Sequence, residues 1–265
     1  SMRNPSSRRR LPIALASLAL VFSLLSGTGT FAAENTATPD TERVVRFNVS
    51  PNGYPPYLIN EGGKHSGIIW DVVTAIAGRL DYEVIPEEIP RKRVDQMLKE
   101  GYIDATTRAR EWTENPDEFT FTDPVVDIEE VLFVPKDSDL EFEALEDLFS
   151  YTLVTHLGYH YPVLEPYFLS GKIGRFDVSR DKDMFHYVLH GEDMDAAVAD
   201  QLVGMWILRN ENMQGKFRTT STKLSQFGFR LMLRKDCEGF AESFNRELEA
   251  MKENGELEKI LSNYR

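Results

Sequence analysis

A single cysteine, Cys237, leaves no partner for an intramolecular disulfide and excludes a multi-cysteine zinc site. Basic residues are few beside acidic ones: 30 Lys and Arg stand against 43 Asp and Glu, a net charge of −13 at pH 7. Neutralising phosphates takes clustered cations, so a nucleic-acid-binding surface is not expected, and an anionic membrane is a poor partner. A small basic pocket inside an acidic shell stays compatible with this balance. Long apolar runs are also missing. The longest, residues 11–25, falls short of the roughly 20 residues that span a bilayer. What is present is 265 residues with 42% hydrophobic side chains, enough for one large domain or two small ones.

The short apolar run follows Arg8-Arg9-Arg10 and precedes Thr30-Phe31-Ala32, a small-x-small pattern. This is the layout of a cleaved secretory signal, expected over residues 1–32, with Ser1 ahead of Met2 read as a cloning remnant. No cysteine lies near the cleavage site, so export to a periplasm without a lipid anchor is expected. Residues 1–32 hold four arginines and no acid, so the remainder carries 26 basic and 43 acidic residues, net −17. Residues 33–42 are polar and aperiodic and read as a flexible leader.

Beyond residue 43 short β-rich runs alternate with helical patterns. Strands are expected at 44–49, 82–85, 103–106, 131–134, 152–155, 176–178, 195–199 and 227–233. Helices are expected after Asp71, whose side chain is read as the cap of an apolar face of Val72, Val73, Ile76, Ala77 and Leu80, and around Val94, Met97 and Leu98. Further helical patterns cover 161–169, Met184 to Leu189, 202–208 and the C-terminal stretch from Cys237. The β-α-β rhythm implies α/β architecture with parallel sheets. It occurs twice, without a flexible linker, which suggests two lobes joined by strands.

Five segments in order resemble the family 3 periplasmic solute-binding proteins, the polar amino-acid receptors of ABC importers. They are Tyr54-Pro55-Pro56-Tyr57 with Gly67-Ile68-Ile69-Trp70-Asp71; Gly101-Tyr102-Ile103-Asp104-Ala105; Phe121-Thr122-Asp123-Pro124; Gly191 with Met194-Asp195-Ala196-Ala197-Val198-Ala199-Asp200; and Asn254-Gly255-Glu256-Leu257. The resemblance implies a two-lobed type II periplasmic-binding-protein fold with a cleft between the lobes and two hinge strands. Carried over, lobe 1 is 43–130 plus 233–265, lobe 2 is 135–226, and the hinge strands are 131–135 and 227–233. It also implies binding of a small polar solute, an amino acid or related carboxylate, by a monomer that delivers it to the membrane subunits of an ABC permease.

Binding an amino-acid zwitterion takes a cation for the carboxylate and an acid for the ammonium. Arginine suits the first role through its planar fork. Where family members place that arginine, this chain has Asn115, a departure from the pattern. Arg108 and Arg110 lie a few residues earlier on the same stretch; residues two apart in an extended segment point the same way, so both are expected at one anion, with surface pairing to Glu111 or Glu114 as the competing role. Asp200 matches the family acid for the ammonium and also suits the cap of the following helix. Tyr54 and Tyr159 are expected to pack on ligand, and Trp70 and Trp112 are further candidate walls. Arg91, if it faces the cleft, makes the pocket more cationic and favours an anionic ligand such as a dicarboxylate. His186 and His190 have a metal-compatible spacing but lie off the apolar face of their helix without a third ligand, so neither a metal nor a cofactor is expected. Two other functions fit the resemblance: a sensory protein presenting ligand to a receptor, and a dehydratase resembling cyclohexadienyl or arogenate dehydratases. No Ser/His/Asp set or paired glycosidase-like carboxylates stand out, so binding rather than catalysis is the expectation.

Overall fold

The computed structural model describes residues 43–265. The expected signal segment 1–32 and leader 33–42 lie outside the described residues. The chain runs through β1 (Val44–Asn48), a hairpin of β2 (Ile59–Glu61) and β3 (Lys64–Ser66), α1 (Ile68–Arg79), β4 (Glu83–Glu87), α2 (Arg91–Lys99), β5 (Ala105–Ala109) and β6 (Thr120–Phe121). There follow β7 (Val126–Pro135), β8 (Thr152–His156), α3 (Glu165–Leu169), β9 (Gly174–Val178), α4 (Asp181–His190), β10 (Ala196–Asp200) and α5 (Gln201–Asn210). The chain closes with β11 (Phe217–Thr219), β12 (Ser225–Leu233), α6 (Glu238–Glu253) and α7 (Glu256–Ser262).

The strand order is β4-β1-β5-β12-β7-β10-β8-β9, with β6 on β12 and β11 on β7. β1 runs parallel to β4 and β5 in one lobe, and β8 runs parallel to β9 and β10 in the other. The two long strands join them. Val126 to Glu130 of β7 pairs with Phe229 to Ser225 of β12, after which the strands part. β12 then pairs with β5 from Phe229 to Leu233, and β7 pairs with β10 from Glu130 to Phe133. The second half of β7 also carries β11. Both lobes thus send the carboxyl ends of their parallel strands toward one cleft, the usual place for a ligand in an open α/β sheet.

Two helices start elsewhere than their patterns imply. α1 begins a turn before Asp71 because the Ile68 and Ile69 N–H groups donate to the carbonyls of Pro56 and Tyr57, 2.9 Å each. Gly67 makes this junction possible: its φ is +114°, and a Cβ there would sit 2.4 Å from the Tyr57 carbonyl oxygen. The Asp71 carboxylate instead accepts from the Tyr264 hydroxyl at 2.6 Å. The 161–169 pattern is helical only over Glu165–Leu169, because Tyr161 folds back so that its hydroxyl oxygen accepts the His156 N–H at 2.9 Å.

One apolar cluster unites Val45, Phe47 and Ile68 with Phe244, Leu248 and Met251, so α6 returns to pack on the lobe of β1. The other lobe buries Phe133, Phe185 and Met184 on one face of its sheet and Leu132, Leu148 and Leu164 on the other. α5 lies against β7 so closely that a Cβ on Gly204 would stand 2.2 Å from the ring of Phe133. Gly204→Ala is therefore expected to destabilise by about 1–3 kcal/mol through overpacking. A lower urea midpoint with an unchanged slope is the readout.

Candidate ligand-binding cleft

The loops at the strand ends enclose a cavity of about 690 Å³. One wall comes from residues 50–55 after β1, Pro90 and Arg91 at the start of α2, Thr107 and Arg108 of β5, and Trp112. Asn48, buried at the end of β1, ties this wall together. Its amide donates to the Thr106 hydroxyl at 3.0 Å, and its carbonyl accepts the N–H groups of Ser50 (3.0 Å) and Ile89 (3.1 Å), the roots of two cleft loops. The opposite wall comes from His156, residues 158–161 after β8, residues 179–182 after β9, and Val198 to Asp200 of β10. Arg175 holds the 156–161 loop. It donates to the Tyr159 carbonyl at 2.9 Å, pairs with Asp177 at 2.9 Å and lies over the rings of Tyr161 and Phe168.

Of the six expected ligand residues, Tyr54, Arg91, Arg108, Tyr159 and Asp200 line this cavity and Arg110 does not. β5 ends at Ala109, and Arg110 opens a 3-10 turn (Arg110–Trp112). The alternation that would align it with Arg108 is broken there. Arg110 turns outward to Asp117 at 2.8 Å and to the ring of Phe121, while the same turn swings Trp112 into the cavity. Trp70 is not a wall; it packs on Phe47 and His65.

The cations form a cluster on the first wall. Arg108 is 3% exposed, and its guanidinium reaches Asp95 at 2.8 Å. The same Asp95 oxygen stands 3.6 Å from Arg91. Crowding at the cavity wall and the like charge of Arg108 lower the Arg91 guanidinium, but its side chain is 56% exposed and it remains charged at neutral pH. One acid shared by two arginines leaves a net positive charge facing the cavity.

Asp200 is 4% exposed and already engaged. One carboxylate oxygen accepts the Glu129 N–H at 2.9 Å; the other accepts the Tyr57 hydroxyl at 2.8 Å and, as the cap of α5, the Val203 N–H at 3.2 Å. Burial pushes the carboxyl up, and these donors pull it back toward the charged form. Tyr57 belongs to the loop ahead of α1, so this bond joins the two lobes. Asp200 thus caps α5 and lines the cleft with one side chain, and three protein donors, only one of them the cap, take up most of its acceptor capacity.

Two acids without a sequence-level assignment stand in the cavity wall. Asp181 opens α4, 3.8 Å from the His156 ring, and burial pushes it up while His156 opposes. Glu130 is 5% exposed at the parting of β7 and β12. Burial pushes its carboxyl up to about 7; the Ser225 hydroxyl opposes this and the Asp200 charge adds to it. The signal for Glu130 was its phase: it shares a strand face with the fully buried Ile128 and Leu132. Aromatic rings line the base, with Tyr54 stacked on Tyr57 at 5.5 Å and Trp112 and Tyr54 within 6.3 Å of Phe229. Tyr159, 38% exposed, stacks on His156 at 3.9 Å at the far wall.

Comparison with known proteins agrees with this architecture. The arginine-binding extracellular protein ArtP of Bacillus subtilis is 26% identical over 211 residues, covering 78% of this chain and 80% of that protein. A probable histidine-binding protein of Neisseria gonorrhoeae is 24% identical over 262 residues, covering 97% and 95%. An ancestral arginine-binding protein solved with arginine shares the fold, with a TM-score of 0.68 at 22% identity over 83% of this chain and 97% of that one. Among the described residues no helix is long and apolar enough to cross a membrane. The profile of bacterial extracellular solute-binding proteins, family 3, matches residues 45–265, and the chain belongs to that family.

Proposed function

We propose that this protein captures a zwitterionic amino acid between its lobes and hands it to an ABC permease. The observation that carries the reading is the placement of charge around one cavity: the Arg91–Arg108 pair on one wall, Asp181 on the other, where Arg180 is turned to Asp183 and Lys182 is exposed, and Glu130 at the junction between them. The ligand carboxylate lies against the two arginines, which replace the cation missing at Asn115. Its ammonium faces Asp181, and Tyr54, Trp112 and Tyr159 flank its carbon chain. Charges desolvated in this way are tolerated only when paired. The arginine- and histidine-binding relatives support an amino acid, and a basic one first.

Capture works by closure of lobe 1, 43–130 with 233–265, on lobe 2, 135–226. The β7–β12 ladder supports a pivot at Val126–Glu130 and Ser225–Phe229, just ahead of the expected 131–135. The reading takes the protein as an exported monomer. Calorimetric titration with the twenty amino acids, paired with small-angle scattering, tests it. The expected result is saturable binding of at least one amino acid with a smaller radius of gyration, and stimulation of the partner permease's ATPase in vesicles by the loaded protein. Binding of dicarboxylates alone, with every amino acid inert, would sink it.

A further inference from the structure

Resting on that reading of the cleft, we propose that Glu130 receives a cationic side chain of the ligand, so that the site selects basic amino acids over neutral ones of the same shape.

Three observations support this. First, the acid at the usual ammonium position is committed. Asp200 accepts three protein donors, one of them from the opposite lobe. Second, Glu130 is buried in the cavity wall, and among the described residues no cation pairs with it. The groups that face it are Asp200 from β10, opposite it in that ladder, Ser225 from β12 and Tyr161 from the loop after β8. One is an acid and two are hydroxyl groups, so the site has acceptor capacity and lacks positive charge. Third, the strand register separates it from the arginines: Arg108 lies opposite Arg230 on β12, and Glu130 opposite Ser225, five residues away along that strand. With the ligand carboxylate held at Arg108, Glu130 is placed for the far end of the ligand rather than for its α-ammonium.

The assignment has a protonic consequence. Burial holds the Glu130 proton on to about pH 7. A cation docking there favours the carboxylate, so binding at neutral pH expels that proton. Affinity for a basic ligand then falls up to tenfold per pH unit well below 7 and levels off above about 8.

The test uses L-arginine and L-lysine against L-citrulline and L-norleucine, titrated calorimetrically at pH 6, 7 and 8.5 in two buffers of different ionisation enthalpy. The parent is expected to bind at least one basic amino acid on the order of 100-fold more tightly than its neutral counterpart, with proton release at pH 7 that vanishes at pH 8.5. Glu130→Gln is expected to bring the two within about fivefold and to abolish the proton release. Glu130→Asp, which keeps the charge on a shorter arm, is expected to restore part of the preference, which separates loss of charge from loss of fold. A Glu130→Gln protein that keeps the preference and the pH dependence overturns the assignment while leaving the cleft reading intact. So does a parent that binds citrulline as well as arginine. A parent that binds no amino acid overturns both.

Discussion

Arg108→Ala is expected to weaken amino-acid binding by about 2–5 kcal/mol, mostly through faster dissociation. The guanidinium is the most buried positive charge in the cavity wall, and Asp95 holds it in place on its outer side. A carboxylate brought in by lobe closure loses its water and needs that cation. Arg91 compensates in part, because it shares Asp95 and lines the same wall. Stability changes less, since Asp95 is partly exposed and regains water. Arg110→Ala is the internal control: its side chain is 45% exposed and paired outward to Asp117, so binding should be unchanged. Calorimetry on the two variants separates the arginines. Equal, parent-like binding by both would move the carboxylate anchor away from this loop.

The second large effect is on stability. Asp200→Ala removes the cap of α5 and leaves the Tyr57 hydroxyl and the Glu129 N–H buried without an acceptor. A lost cap costs about 1 kcal/mol, and a buried donor left unpaired about 1–3 kcal/mol. The sum over the cap and the two donors, roughly 3–7 kcal/mol, is a large part of the stability of a protein this size. Asp200→Asn keeps an acceptor and is expected to lose less. It also removes the negative charge that helps push Glu130 up, so Glu130 should titrate lower in that variant. Urea midpoints for the two variants, followed at pH 8, order them as parent, Asn, Ala. An alanine variant as stable as the parent would mean that Asp200 does not hold the lobes' junction together.

Glu130 has an opposite sign. Its carboxyl binds a proton more tightly in the folded chain, about 7 against 4.5 in an open chain. The native state therefore holds the extra proton between these values, and stability falls as pH rises through that window. This is the ordinary cost of an acid kept at a binding site with its counter-charge missing until ligand arrives.

Much of this was readable from residue patterns. The strands at 44–49, 152–155 and 227–233 follow β-branched and aromatic runs, and the structure has strands there over Val44–Asn48, Thr152–His156 and Ser225–Leu233. What escaped the pattern depended on contacts from distant segments. α1 starts at Ile68 because the carbonyls of Pro56 and Tyr57 accept its first N–H groups, which no local cap reveals. Arg110 leaves the cavity because a 3-10 turn interrupts the extended stretch after Ala109. Asp200 was legible as both a cap and a cleft acid, but not the hydroxyl of Tyr57, 143 residues away, that shares it. Glu130 was hidden by its neighbour Glu129, which turns to Lys223 at 2.9 Å and makes the pair look like an exposed acidic step.

The most direct measurement is mass spectrometry of the molecule released when the protein, purified without unfolding from cells, is denatured. The account predicts an α-amino acid carrying a second positive charge, in near-stoichiometric amount from the parent and depleted from Arg108→Ala. A released dicarboxylate without an amine, or any ligand retained equally by Arg108→Ala, would contradict it.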